Sequence, residues 1–121
     1  INSTNNNLWV PFTAPDGNIL GEIKPNGNNL GTVISSFYLS GSSREDAQKK
    51  LYLNRSITIT PQNQPATPVS VRLYVTNDEL NTLKNATNTQ NLPSQVTTIS
   101  DVRIRKNNDN APIALTAAKP I

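Results

Sequence analysis

The side chains able to move protons in this chain are few and of one kind. Acid–base chemistry would have to come from Asp16, Glu22, Glu45, Asp46, Asp78, Glu79, Asp101 and Asp109, because there is no histidine and no cysteine. That removes the commonest general base, the commonest transition-metal ligand, and any thiol nucleophile or disulfide. Two carboxylates that cleave a glycosidic bond must straddle a sugar, about 5–10 Å apart. The adjacent pairs Glu45-Asp46 and Asp78-Glu79 are badly placed for that, and Glu79 has a second use as a helix cap. The carboxylates are expected to be structural and the chain is expected not to be an enzyme.

Hard oxygen ligands for calcium could come from two loops, Asp16 and Asn18 on one, Asn108 and Asp109 on the other. One aspartate per loop is little charge for a divalent cation, and the EF-hand spacing is absent. Hydrogen-bonded turns explain these residues more simply, so no cofactor is expected, with calcium the one candidate.

Sugar binding would need planar side chains that stack on pyranose faces. Tyr38, Tyr52 and Tyr74 each fall on the strand parity opposite to the aliphatic residues around them, so a common outer face could carry all three. Trp9, beside Pro11 and Phe12, is the other planar candidate, although a tryptophan in that setting more often plugs a core edge. A helix or neighbouring domain covering the tyrosine face is the simpler alternative.

These candidates must be held by short strands. Residues 69–76 alternate, with Val69, Val71, Leu73 and Val75 on one face and Ser70, Arg72, Tyr74 and Thr76 on the other, the two-residue period of a half-buried strand. Residues 8–12 form an apolar run in which Pro11 lacks a ladder donor, which suits an edge. Asp16-Gly17-Asn18 is a turn signal, and residues 19–24 alternate as a second strand. The run 25–29, with Asn26-Gly27 at its centre, is the strongest loop, since Asn-Gly favours the left-handed conformation of tight turns.

A long strand is expected over 31–40, with Val33, Ser35, Phe37 and Leu39 sharing a face. Residues 44–50 read as one helical turn or a solvated hairpin tip. Residues 51–60 alternate again, and Arg55 falls on the inward parity as a bulge or a partnered buried charge. Three prolines between 61 and 68 exclude a central strand there. Thr76-Asn77-Asp78-Glu79 has capping-box spacing, so a short helix should follow, with Leu80 and Leu83 facing the sheet. Residues 96–105 are expected as a strand with Val102 and Ile104 inward, 107–110 as a loop, and 113–117 as a last strand.

Composition sets the outer limits. A chain of 121 residues fits one domain and can bury a core without disulfide staples. Apolar residues make up 35% and charged residues 16%, with net charge +3. The low charge and alternating runs argue against disorder. Arg103, Arg105 and Lys106 form the one tight basic cluster, too small for a phosphate footprint, so nucleic acid is not an expected partner. No run approaches the ~20 apolar residues of a membrane span, so membrane insertion is not expected either. Residues 1–7 read as a flexible linker and 8–121 as a single domain, and a chain opening on Ile1 reads as a piece of a longer or processed protein.

Three blocks, residues 19–31 (Ile-Leu-Gly-Glu-Ile-Lys-Pro-Asn-Gly-Asn-Asn-Leu-Gly), residues 52–59 and residues 69–80, agree in spacing and residue type with another group of proteins. Over 8–106 the chain resembles accessory β-sandwich modules near the C-terminal sorting region of type IX secreted and cell-surface proteins of Bacteroidetes. The resemblance implies a secreted or cell-surface location, partners among neighbouring domains of the same polypeptide or surface proteins, and no catalytic residues. Members of that group continue into a closing strand with Phe-Ser-x-Phe, which residues 111–121 lack, so the domain is expected to miss that strand.

The expected fold is thus all-β, a two-layer antiparallel sandwich of jelly-roll or immunoglobulin-like layout, with one short helix after Thr76. The expected role is that of a non-catalytic accessory module serving adhesion, spacing or export. Two alternatives remain open at this point: a carbohydrate-binding module with Tyr38, Tyr52, Tyr74 and Trp9 as its face and polysaccharide as partner, or a strand-donating subunit of a surface filament.

Overall fold

Turn chemistry directs the first third of the chain. The computed structural model describes residues 1–39, 41, 43–46, 48–106 and 119–120, the last two together with 105–106 by backbone alone. Strand β1 (Val10–Thr13) reverses through Asp16-Gly17-Asn18 into β2 (Ile19–Lys24). Gly17 takes φ +86°, a conformation open to glycine at little steric penalty, and the Ala14 N–H donates to Asn18 O at 2.9 Å across the reversal.

At Pro25 the chain turns again, with Asn26 at φ 54° and Gly27 at φ 89° and the Asn28 N–H donating to Pro25 O at 3.2 Å. The Asn-Gly turn does not make a hairpin with the next strand, however. Strand β3 (Val33–Leu39) pairs with β6 (Arg55–Pro61) instead, and β2 lies between β1 and β7 (Ser70–Leu73). The remaining strands are β4 (Arg44–Glu45), β5 (Leu51–Tyr52), β8 (Arg105–Lys106) and β9 (Lys119–Pro120). The described chain is mostly strands in small antiparallel sheets, with one α-helix, α1 (Asn77–Lys84).

The described chain divides into two compact units, Ile1–Ser36 with Thr58–Val75, and Phe37–Ile57 with Thr76–Ile121. In the first, antiparallel register sets Val10 opposite Ile23 and Phe12 opposite Gly21, then Gly21 opposite Leu73 and Ile23 opposite Val71. Opposed residues share a face, so the two-residue period places these six on one side of the sheet. Phe12 and Ile23 are buried there, and Leu30, in the loop after β2, is buried as well. The expected inward set Val69, Val71, Leu73 and Val75 keeps its parity at Val71 and Leu73 but is not fully buried. Val71 stays 37% exposed, because β7 ends the sheet and has no strand on its far side in the order β1-β2-β7.

Pro11 sits on an edge strand as its missing donor requires. Residues 1–7, expected as a linker, are tied to the second turn: the Gly31 N–H donates to Ile1 O and the Gly27 N–H to Asn6 O, both at 2.9 Å.

In the second unit the 44–50 segment is a hairpin tip. Arg44 opposes Tyr52 and Glu45 opposes Leu51, and Asp46 Oδ1 accepts from the Gln48 and Lys50 N–H groups, each at 2.9 Å. The run 51–60 is not one strand, since it breaks at Leu53-Asn54 between β5 and β6. Helix α1 starts where the spacing places it. Thr76 Oγ1 accepts from the Glu79 N–H at 3.1 Å and Glu79 Oε2 from the Thr76 N–H at 3.0 Å, two otherwise unpaired amides satisfied together. Leu83, 2% exposed, is the buried face of the helix.

The strand expected over 96–105 is corrected. Residues Ile99–Asp101 form a 3-10 turn, only Arg105–Lys106 pair as strand, and Ile104 is exposed. Aspartate three residues after a threonine competes locally with any ladder: Asp101 Oδ2 accepts from the Thr97 and Thr98 N–H groups, each at 2.9 Å. The expected loop 107–110 and strand 113–117 lie outside the described residues.

Candidate functional site

Among the described residues, the Asp16, Glu22, Glu45, Asp46, Glu79 and Asp101 carboxylates bond to backbone or neighbouring side chains. Asp16 accepts from the Asn18 N–H at 3.0 Å and from Asn18 Nδ2 at 2.9 Å, so the two calcium candidates of that loop bond to each other. Asn108 and Asp109 lie outside the described residues. Among the described residues there is no group of three or more acidic, histidine or cysteine side chains that could hold a metal.

Glu45 accepts from the Thr89 N–H at 2.9 Å and from Thr89 Oγ1 at 2.8 Å, with Lys49 Nζ at 3.3 Å. The Thr89 backbone bond, then its hydroxyl, hold the Glu45 carboxyl below its ordinary range. Asp101 is held at about 2, first by the Thr98 amide and then by the Thr97 amide and hydroxyl. Glu79 caps the helix and lies 3.6 Å from Arg55 Nη2, with both side chains largely shielded from solvent. Arg55 is therefore a partnered charge on an inward parity, one of the two outcomes its position allowed.

The aromatic candidates fall into two groups. In the second unit, hairpin register brings Tyr52 opposite Arg44, and the Arg44 guanidinium lies 4.6 Å from the Tyr52 ring centre and 5.1 Å from that of Tyr38. Its Nη2 also donates to Ser56 Oγ at 2.7 Å. Tyr38 and Tyr52 thus clasp a cation, a use of their π faces that alternation alone does not reveal. Its one legible signal was the charged tip between two tyrosine-bearing strands.

In the first unit, Trp9 and Tyr74 flank a charged pair on the outer face of the β1-β2-β7 sheet. Glu22 opposes Arg72 across β2 and β7 and Pro11 across β1 and β2. From β7 the Arg72 guanidinium reaches a point 3.8 Å above the Trp9 ring and 3.6 Å from Glu22 Oε2. The Tyr74 hydroxyl donates to the same oxygen at 2.7 Å, and that bond raises the phenol above its ordinary value. The Arg72 side chain is 54% exposed and Tyr74 44% exposed.

Here an exposed fork of N–H donors and an exposed phenol sit beside a half-buried indole ring and a largely shielded carboxylate within one patch. Such a set can stack on an apolar ring face and exchange paired hydrogen bonds with neighbouring hydroxyls. Arg72 and Glu22 were not among the residues singled out for binding. Their signal was the cross-strand opposition of a cation and an anion, visible only once β7 is known to lie beside β2.

Comparison with protein-family models, with curated proteins and with solved structures finds no match to this chain. Among the described residues no helix is long and apolar enough to cross a membrane.

Proposed function

We propose that this chain is a non-catalytic accessory module of a secreted or cell-surface bacterial protein, serving adhesion, spacing or export, with its small sheets forming a two-layer antiparallel sandwich. The observation that carries the non-catalytic part of this reading is geometric: Glu45 is bonded to Thr89, Asp101 to the Thr97 and Thr98 amides, and Glu79 to the Thr76 amide, and the shifted ionisations point the same way. Asp101 at about 2 and a lowered Glu45 stay charged at neutral pH, and a raised Tyr74 stays protonated. General acid–base catalysis favours groups poised near the working pH, and these three are moved away from it. The resemblance of residues 19–31, 52–59 and 69–80 to type IX accessory modules supports the same role and location.

The test is protease shaving of intact producing cells followed by detection of the module. Peptides from residues 8–106 released without lysis support surface exposure; a module protected until cells are broken overturns it. Turnover of model glycoside or ester substrates by the purified chain would overturn the non-catalytic part.

A second reading, favoured by the partly exposed Trp9–Arg72–Glu22–Tyr74 patch, is carbohydrate binding by the first unit. Binding to insoluble glucans, chitin or mannan should weaken by about tenfold or more in Trp9→Ala and Tyr74→Ala, in line with loss of a central aromatic contact. Tyr52→Ala should leave it unchanged, since that ring belongs to the second unit and not to this patch. An absence of retention by every polysaccharide removes this reading.

A further inference from the structure

Asn26-Gly27 is the one Asn-Gly pair in the chain, and this pair carries chemistry independent of any ligand. In an Asn-Gly unit the glycine nitrogen, having lost its proton to hydroxide, can attack the asparagine Cγ, because glycine has no side chain to obstruct the approach. The new C–N bond closes a five-membered imide as the Cγ–Nδ2 bond breaks and ammonia leaves with a proton from water. Water then opens the imide at either carbonyl, giving aspartate or an isoaspartyl linkage. Nothing is oxidised or reduced.

The fold engages both reacting groups. The attacking nitrogen, Gly27 N, has its proton held by Asn6 O at 2.9 Å. The departing nitrogen, Asn26 Nδ2, donates to Pro68 O at 3.2 Å and to Ser70 Oγ at 3.1 Å, while Asn6 Nδ2 closes the other side of the turn through Gly27 O at 3.0 Å. Asn26 itself is exposed, so water and hydroxide reach it once those bonds open.

We propose that Asn26-Gly27 is a latent deamidation site, held closed by hydrogen bonds from residues 6, 68 and 70, whose reaction loosens the loop seam irreversibly. An aspartate at 26 has no N–H to return to Pro68 O and sets its carboxylate against that carbonyl. An isoaspartyl link adds a backbone carbon to a turn in which Asn26 and Gly27 both have positive φ. The seam between 25–31 and 65–70 is then left to Asn28, whose Oδ1 accepts from the Ala66 and Thr67 N–H groups at 3.0 and 3.3 Å. The site thus acts as a one-way clock on time spent locally open.

The experiment incubates the purified chain in mildly alkaline buffer, folded or in guanidinium chloride, and follows conversion of amide to acid at each asparagine by peptide mapping. A reaction that proceeds through local opening is slowed by the fraction of time spent closed, so position 26 should convert at least about tenfold more slowly in the folded chain. Ser70→Ala, lacking one acceptor, should recover part of that difference. Asn26→Asp, carrying the product residue, should unfold at lower denaturant than the parent chain. Equal rates at position 26 in the folded and unfolded chain, or earliest conversion at another asparagine in the unfolded chain, would overturn the proposal. An Asn26→Asp chain as stable as the parent would overturn the seam-loosening consequence.

Discussion

The two units are held by different chemistry. Ile1–Ser36 with Thr58–Val75 buries carbon: Phe12 and Ile23 are buried on one side of a three-stranded sheet by its register, and Leu30 is buried in the same unit. Phe37–Ile57 with Thr76–Ile121 has Leu83 as its one fully shielded hydrophobic side chain among the described residues. It is stitched instead by the Thr76–Glu79 cap, the Arg55–Glu79 pair, the Arg44 clasp and the bonds of Thr89 to Glu45. An apolar layer tolerates many rearrangements of equal burial, whereas each polar stitch has one geometry and leaves an unmet group when cut. Damage should therefore be graded in the first unit and focused on particular partners in the second.

The largest expected effects test that contrast at its anchors. Leu30→Ala and Leu83→Ala should each destabilise by about 2–5 kcal/mol, the range for truncating a fully buried leucine, read as a shift in urea midpoint at constant slope. A Leu83→Ala loss well under that range would mean that the second unit depends on its polar ties alone.

Next comes Gly21→Ala. A Cβ there would lie 2.7 Å from the Arg72 carbonyl oxygen, a backbone atom that cannot swing away, so overpacking of about 1–3 kcal/mol is expected. A neutral effect would show that β2 and β7 can separate without penalty and that the first unit is looser than its register implies.

Thr76→Ala should remove about 1 kcal/mol by leaving the Glu79 amide without its cap. The Arg55/Glu79 double-mutant cycle should give a coupling of about 0.5–2 kcal/mol, since both partners are shielded. Additive single mutants would show the pair to be incidental. Smallest is Arg72→Ala, about 0.5–1 kcal/mol, because its contact with Trp9 is made at an exposed surface.

Acid sharpens the comparison in another way. The Asp101 carboxyl lies at about 2 in the folded chain against 3.8 ordinarily, and Glu45 also lies below its ordinary 4.5. In that window the unfolded chain binds more protons, so stability rises with pH and is lost as pH falls. These two groups contribute fully above their ordinary values, and the Asp101 contribution disappears as pH drops through about 2. Both belong to the second unit, so Asp101→Asn should flatten part of the acid limb of the urea midpoint. An unchanged limb would move acid sensitivity to other carboxylates.

Legibility follows how far apart in the chain the interacting groups are. Thr76 and Glu79, or Asp16 and Asn18, lie within three residues of each other, so spacing alone predicts their bonds. The Thr98–Asp101 turn is equally local, but the shared parity of Val102 and Ile104 suggests a strand over the same residues. Arg72 over Trp9 and Arg44 between Tyr38 and Tyr52 could not be read off, because each depends on which strands become neighbours.

By itself the sequence determined the local vocabulary: turns at Gly17 and Gly27, the helix start at Thr76, the alternation of residues 19–24, and the lack of histidine and cysteine chemistry. Those follow from φ preferences, capping spacing and a two-residue period, all of which act over a few residues. Tertiary structure alone decided that β2 lies between β1 and β7, that Val71 stays half open at a sheet end, and that the aromatic candidates clasp arginines. Strand neighbours are chosen by the joint burial of distant segments, and a two-residue period records which face a strand buries without recording which partner covers it.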